Sequence, residues 1–187
     1  SVQANLMLND QVWPAMAKAF ESSNGPLAER LVATLQAAQR AGGDIRGKQS
    51  AALLVVRGKP TGNIWEDRLV DIQIADHAQP LNELERILKV FRAYEHMNNG
   101  DLAIEKEDYQ GAMQEYGMAE QMFPENLEMK YWHAISLVNI GKLKEALPLF
   151  RQIFAADENW RILTPRLVGV GLLNVNNEEL DQIISLK

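Results

Sequence analysis

The stretch Ser50-Ala51-Ala52-Leu53-Leu54-Val55-Val56 decides the fold class, because it is short and almost wholly apolar. An apolar run of this length is too short for a typical helix and is typical of a β-strand covered on both faces. In the segment Arg68–Ala75, apolar residues recur at alternate positions, which predicts a second strand with one largely polar face. The order of the two segments therefore predicts a pair of adjacent strands.

Two strands do not form a stable sheet by themselves. We therefore expect further strands, supplied by an N-terminal half upstream of Ser1 or by a second chain. The chain would then be a fragment or a processed form of a larger protein. A homo-oligomer is one way in which a second chain could complete the sheet.

Two helices are predicted before the first strand. Asp10 is the predicted N-cap of the first helix, which runs through Phe20. Pro26 starts the second helix, and the Gly42-Gly43 pair ends it. Two helices followed by two strands predict an α+β fold.

The composition excludes several classes of protein. With 187 residues, of which 47% are hydrophobic, the chain is long enough to form a core and is not disordered. It has no cysteine, so disulfides and thiolate metal sites are excluded. No apolar run approaches the ~18 residues of a membrane span, so we expect no membrane partner. The composition does not decide the cellular location, and the cytoplasm is slightly favoured over the periplasm.

Charge divides the chain into two parts. Residues 1–78 hold eight basic and eight acidic side chains, and residues 79–187 hold eleven basic and seventeen acidic ones. The net charge of −6 therefore lies wholly in the second part. No basic stripe is present to bind phosphates, so nucleic acid is not an expected partner. We predict one domain over residues 1–79 and another over residues 80–187.

The second half of the chain contains an internal repeat. A long helix is predicted from Pro80, and further along the chain Ala112–Tyr116 aligns with Ala146–Phe150 at a shift of 34 residues. This period and this spacing of small and aromatic residues resemble the tetratricopeptide repeat, with Gly100 and Pro124 as the bounds of the first copy. The sequence therefore predicts an all-α, tetratricopeptide-like extension.

Two short helical patterns after Asn159 are predicted to cap the last repeat, with a helix cap at Asn176-Asn177. If the repeats form a concave groove, its rim is acidic and would suit a basic peptide as a partner. A solvated helix face accounts for the same charges. The rim residues are Glu105, Glu107, Asp108, Glu115 and Glu120.

A polar loop precedes the first predicted strand and holds Asp44, Arg46, Lys48 and Gln49. At a strand end these groups would line a pocket for a polar or carboxylate-bearing substrate. Arg46 would make a forked contact with such a substrate and Lys48 a point-charge contact. The alternative is a helix-to-strand connection with a local Asp–Arg pair and two solvated cations.

Asp76 and His77 form a second candidate pair, just before the helix predicted from Pro80. A carboxylate beside an imidazole can act as an acid–base pair. Helix capping by Asp76, with His77 exposed, is the alternative. His96 and His133 have no ligand-spaced set of His or carboxylate residues, so no metal site is predicted.

The spacing of Gly42, Gly47 and Lys48 approaches that of a phosphate-binding loop. However, Gln49 stands where a magnesium-binding Ser or Thr is required. A helix is also predicted before the loop and a strand after it, which is the reverse of the order that the motif needs. No nucleotide or other cofactor is therefore expected.

Several segments of the first half resemble one protein family. They are Val2–Met7, Pro26–Leu31, Gly42–Val55, Asp67–Asp71 and the Asp76-His77 pair that precedes Pro80–Leu84. The family is the one catalogued as domain of unknown function 1028. The resemblance extends roughly from Ser1 to Arg92 and is most specific in the polar loop. Ala4 is a departure, because the family usually has Gly before the Asn.

The resemblance implies a fold similar to that of the N-terminal-nucleophile (Ntn) hydrolases, an αββα sandwich of which this chain would hold the C-terminal part. It also implies hydrolysis of an amide or similar C–N bond in a small or peptide-like substrate. In such a mechanism the first residue is the nucleophile and its α-amine is the base. Ser1 would then attack and Asn5 would help to hold the oxyanion. The alternative is a nucleophile in the N-terminal half of such proteins, outside this chain.

Two functional hypotheses follow. In the first, the protein is an amide hydrolase with a tetratricopeptide-like extension for protein interaction. In the second, it is a non-enzymatic adaptor whose repeats bind a partner peptide, and the sandwich is a catalytically inactive scaffold. The substrate-binding residues of the first hypothesis are Asp44, Arg46, Lys48, Gln49, Asp76 and His77.

Overall fold

The computed structural model describes residues 1–186. The chain divides into two compact units, a first unit of Ser1–Val90 and a helical unit of Phe91–Lys187. Nine helices and two strands occur within the described residues. One helix, Pro80–Glu105, contributes its beginning to the first unit and its remainder to the helical unit.

The first unit begins with two helices that pack against each other, α1 (Val12–Ser22) and α2 (Leu27–Arg40). Both were predicted from the sequence. The predicted N-cap at Asp10 is wrong, because Gln11 occupies the N-cap position and caps nothing with its side chain. The side chain of Asn9 instead accepts a hydrogen bond from the backbone N–H of Gln11 at 2.9 Å.

The two predicted strands are confirmed as β1 (Ala51–Val56) and β2 (Arg68–Ile74), which pair antiparallel. Leu53 lies opposite Ile72 in the register. A short helix, α3 (Ile64–Asp67), lies in the connection between the strands. Among the described residues, the sheet consists of these two strands.

The sheet buries one of its two faces. Leu53 and Ile72 lie on the buried face, and α2 contacts β1. On the other face, the side chains of Leu54 and Val56 are each 56% exposed. The prediction that the first strand is covered on both faces is therefore wrong for the described residues. Successive side chains of a strand point to opposite faces, so a single covering layer can bury only every second residue.

The helix predicted from Pro80 is confirmed as α4 (Pro80–Glu105). Five further helices follow α4 in the described residues. They are α5 (Tyr109–Met122), α6 (Leu127–Asn139), α7 (Leu143–Ala156), α8 (Asn159–Gly169) and α9 (Asn177–Ile184). Helix α7 begins and ends 34 residues after α5 does, so the repeat in the sequence corresponds to a repeat in helix boundaries.

The core of the helical unit is centred on Tyr131, which is fully buried. Its ring lies 5.9 Å from the ring of Phe150 in an edge-on arrangement and 4.7 Å from that of Trp160. Its hydroxyl lies 3.0 Å from that of Thr164. This contact satisfies a polar group that would otherwise be destabilising in a buried position. At the start of α9, the cap predicted at Asn176 is confirmed as a reciprocal capping box with Glu179.

Gly100 does not bound a repeat, because α4 continues through it to Glu105. A glycine inside a helix is usually unfavourable. Here it allows the ring of Tyr116 on α5 to approach closely, since a Cβ at Gly100 would lie 2.6 Å from that ring. The absence of a side chain at Gly100 is therefore a packing requirement and not a signal for the end of a helix.

We expect Gly100→Ala to destabilise the helical unit by about 1–3 kcal/mol, because the added methyl group overlaps the buried ring of Tyr116. The matched control is Gly117→Ala in α5, where a Cβ would meet nothing closer than 3.8 Å. The control should be neutral or stabilising by up to ~1 kcal/mol. Urea unfolding monitored by circular dichroism measures both. Equal stability of the two variants would contradict this packing.

Candidate functional site

The polar loop lies beside the N-terminal segment of the chain. The backbone N–H of Leu8 donates to the carbonyl of Gly43, and that of Ile45 donates to the carbonyl of Leu6, each at 2.9 Å. Gly42 has a φ of +127°, and a Cβ there would lie 2.8 Å from the side chain of Leu8. The glycine is therefore needed both for the backbone conformation and for the close approach of the two segments.

Within the loop, Arg46 forms a forked ion pair with Asp44. The guanidinium donates to the two carboxylate oxygens at 2.9 and 2.5 Å, and the backbone N–H of Arg46 donates to the same carboxylate at 2.8 Å. The hydrogen bonds from Arg46 lower the pKa of Asp44 to about 2. The carboxylate of Asp44 therefore occupies the paired N–H donors of the Arg46 guanidinium. The sequence had predicted that these donors contact a substrate.

Two candidate segments that are distant in sequence meet in the structure. The amide of Gln49 donates to the carboxylate of Asp76 at 3.1 Å, and the ammonium of Lys48 donates to the side-chain oxygen of Gln79 at 2.5 Å. The backbone N–H of His77 also donates to the carbonyl of Gln49 at 2.9 Å. These contacts hold the loop before β1 against the loop after β2.

Asp76 and His77 have different partners, although they are adjacent in sequence. Asp76 is bonded to Gln49, whereas Nδ1 of His77 accepts a hydrogen bond from the backbone N–H of Gln79 at 3.0 Å. In the described residues no hydrogen bond joins Asp76 to His77. An acceptor role for Nδ1 places the proton of the neutral imidazole on Nε2, and this nitrogen remains available to a ligand.

A cavity of about 270 Å³ lies beside Lys48. Its lining residues are Gln36, Gln39, Arg40, Lys48, Gln79, Leu81 and Asn82. Two cations and four side-chain amides suit a small ligand that carries a carboxylate. Of these residues, Lys48 alone was among the predicted site residues.

Sequence reasoning missed the contribution of α2 to this cavity. Gln36, Gln39 and Arg40 have the spacing of one helix face, and this pattern was a signal that could have been used. Ser1 and Asn5 are both exposed. Within residues 1–186, the structure records no hydrogen bond from the side chain of either residue to the polar loop.

The acidic residues that were predicted to form a rim on the helical unit differ in their contacts. The carboxylate of Glu115 lies 2.6 Å from Nδ1 of His96, and that of Glu120 is paired with His133. Asp108 accepts a hydrogen bond from the N–H of Gly111 and thereby caps α5. Glu107 has a φ of +59° in the turn after α4, and Glu105 lines a cavity.

This cavity measures about 400 Å³ and lies within the helical unit. Its lining residues are Tyr94, Met97, Asn98, Asp101, Ile104, Glu105, Tyr116, Glu128, Trp132, Ile135, Ser136, Asn139 and Leu172. Apolar and aromatic side chains form most of the wall, and three carboxylates are the charged groups among them. Its volume is within the range of small-ligand sites.

Two further properties concern the described residues alone. They contain no group of three or more His, Cys, Asp or Glu side chains placed to hold a metal ion. None of their helices combines the length and the apolar character needed to cross a membrane.

Comparison with known proteins shows that the first part of the chain is similar to one family. Residues 1–84 match the model of a family of unknown function (DUF1028), which confirms the family resemblance found in the sequence. The matched region contains α1, α2, both strands and the first residues of α4. No curated protein and no solved structure matches the chain.

We expect Arg46→Gln to raise the pKa of Asp44 from about 2 towards its ordinary value, because it removes the largest cause of the lowered pKa. The backbone hydrogen bond to Asp44 remains, so the pKa should not return fully. Carbon-detected NMR titration of the Asp44 carboxyl measures this change, with Arg57→Gln as the control. An unchanged pKa of Asp44 in Arg46→Gln would contradict the forked ion pair between Arg46 and Asp44.

Proposed function

We propose that the helical unit binds a segment of a partner polypeptide. The observation that carries this proposal is the cavity of about 400 Å³ within the unit, which has an aromatic and apolar wall and three carboxylates. Concave sites that combine apolar walls with a few polar groups are the usual form of ligand sites. The acidic balance of residues 79–187 favours a basic partner segment.

We propose further that the helical unit is of the tetratricopeptide type. Helices α5 and α7 occupy equivalent places at a spacing of 34 residues. Ala112 and Ala146 are equivalent, small and fully buried, and Tyr116 and Phe150 are equivalent, aromatic and buried. This alternation of small and large residues at helix contacts supports the proposal, because it allows neighbouring helices to approach closely.

The test is selection of peptides from a displayed random library by the full chain. We expect enrichment of basic peptides that bind in fluorescence anisotropy, and a loss of about tenfold or more in affinity for Tyr94→Ala. Tyr94 lines the cavity and is 39% exposed, so its removal should not unfold the unit. Tyr109→Ala is the matched control, since Tyr109 is 40% exposed and lies outside the cavity.

Selection that enriches no peptide above a scrambled sequence would refute peptide binding. Equal affinity of the selected peptides for both tyrosine variants would also refute it, because binding would then not involve the cavity.

Amide hydrolysis by the first unit is a second candidate function. The observation that favours it is the junction of the two candidate loops, at which Gln49 meets Asp76 and Lys48 meets Gln79. The adjacent cavity, with Arg40 and Lys48 in its wall, suits a substrate that carries a carboxylate. In this proposal the nucleophile comes from polypeptide that completes the sheet, and Ser1 is the alternative within this chain.

The exposed face of the sheet supports the proposal that further polypeptide covers it. Leu54 and Val56 are more than half exposed on this face, and Trp65 in the connection between the strands is 86% exposed. A two-stranded sheet is marginal without further strands or covering layers. Additional strands at the sheet edges, from another polypeptide or a second copy, would form the αββα sandwich of an Ntn-type hydrolase.

We expect the protein, purified with any strand-forming partner, to hydrolyse N-acyl amino acids faster than the corresponding N-acyl amino amides. Lys48→Met should lower turnover about tenfold or more while leaving the melting temperature unchanged, because Lys48 is exposed and contributes charge to the cavity. Lys59→Met, in the turn between the strands, is the matched control. Equal turnover of both variants, or no turnover of any amide, would refute this function.

A further inference from the structure

We infer that the cavity of the helical unit is a subsite for an ammonium or guanidinium group on an apolar stem, as in the side chain of Lys or Arg. The inference deepens the proposed binding of a peptide and rests on it. It names the chemical group that the cavity accepts, and it is argued from three carboxylates and one hydroxyl in the cavity wall.

The wall of the cavity accounts for the apolar stem. Met97, Ile104 and Ile135 line it together with the rings of Tyr94 and Trp132. The methylene groups of a Lys or Arg side chain can pack against such a wall while the charged end lies elsewhere. The aromatic rings also attract a cation that lies over their faces.

The carboxylates account for the positive charge. The hydroxyl of Tyr116 donates to Asp101 at 2.5 Å, and that of Tyr94 donates to Glu128 at 2.8 Å. These bonds hold the two carboxylates in place and leave further lone pairs on each. The hydrogen bond to Glu128 raises the pKa of Tyr94, and burial raises that of Tyr116, so both hydroxyls stay protonated as donors.

These carboxylates have no counter-ion in the described residues. No Lys or Arg lines the cavity, and no ion pair involves Asp101, Glu105 or Glu128. Three negative charges around one cavity exclude an anionic ligand and leave a purely apolar ligand without a polar partner. A cation is the group that stabilises this arrangement.

Ser136 supplies an independent observation. It is only 2% exposed and lines the cavity, and its hydroxyl has no hydrogen-bond partner within residues 1–186. A hydroxyl that opens onto the cavity and has no partner in the described residues can bond to a group that enters the cavity. The neighbouring Asn139 is already engaged, because it donates to the carbonyl of Leu172 and accepts from the N–H of Asn174.

A cationic N–H donor satisfies both requirements at once. It can donate to the carboxylates and to the hydroxyl oxygen of Ser136, and it needs no acceptor in return. A guanidinium or ammonium group has three or more such donors, so it can bond to more than one of these acceptors.

The first arm of the test uses free probes and does not depend on peptide binding. Agmatine and 1-aminopentane are titrated into the full chain, and 1-pentanol is the uncharged control. We expect the two cations, and not pentanol, to shift the NMR signals of Ser136 and Ile135. Glu105→Gln should weaken this binding about fivefold or more, because Glu105 has no partner in the described residues and lines the cavity.

Glu125→Gln is the matched control for Glu105→Gln. Glu125 is exposed and lies outside the cavity, and its substitution removes the same charge from the chain. Equal binding of agmatine and pentanol, or equal weakening by the two Gln variants, would overturn the cation subsite. A merely long-range effect of net charge would weaken binding equally in both.

The second arm places the cation in a peptide. In a peptide that the chain binds, replacement of the anchoring Lys or Arg by norleucine should lower the affinity about tenfold or more in the wild type. The replacement should have a smaller effect in Glu105→Gln. A peptide that binds equally well with norleucine at every basic position would overturn the subsite and leave the proposed peptide binding standing. Free cations that bind where no peptide does would support the subsite and refute the proposed peptide function.

Discussion

One-sided burial of the β1–β2 hairpin is the constraint on which the architecture of the first unit depends. The pleat of a strand sends Leu53 to the α2 side of the sheet and Leu54 to the opposite side. The described chain covers the α2 side alone and leaves Leu54 and Val56 largely in solvent. Strand β1 contains no charged residue and is half exposed. Other polypeptide readily pairs with or covers such a strand.

In the helical unit, the side chain of Tyr116 takes part both in helix packing and in the cavity. The ring of Tyr116 occupies the space left by the missing side chain of Gly100, and its hydroxyl fixes Asp101. The same ring forms part of the cavity wall. The close contact of α4 with α5 therefore positions one of the carboxylates that define the charge of the cavity. Stability and binding depend here on the same contact.

Local patterns predicted much of the fold, and long-range contacts account for most of what they missed. Alternation of apolar residues located β2, and Asn176 identified the cap of α9. Gly100 was misread, because its role depends on Tyr116, a partner from another helix. Arg40 was missed at the site for the same reason. Gln79, the hydrogen-bond partner of Lys48, is distant from Arg40 in sequence. The fold brings Arg40, Lys48 and Gln79 to one cavity.

Hydrogen exchange of the backbone amides tests most directly whether the hairpin needs further polypeptide. The measurement is made by mass spectrometry on the isolated chain, at a concentration at which sedimentation shows a monomer. The account predicts that amides of β1 and β2 exchange about 100-fold or more faster than those of α6 and α7, whose side chains form the core of the helical unit. A monomer in which the strand amides exchange as slowly as those of α6 would contradict the account.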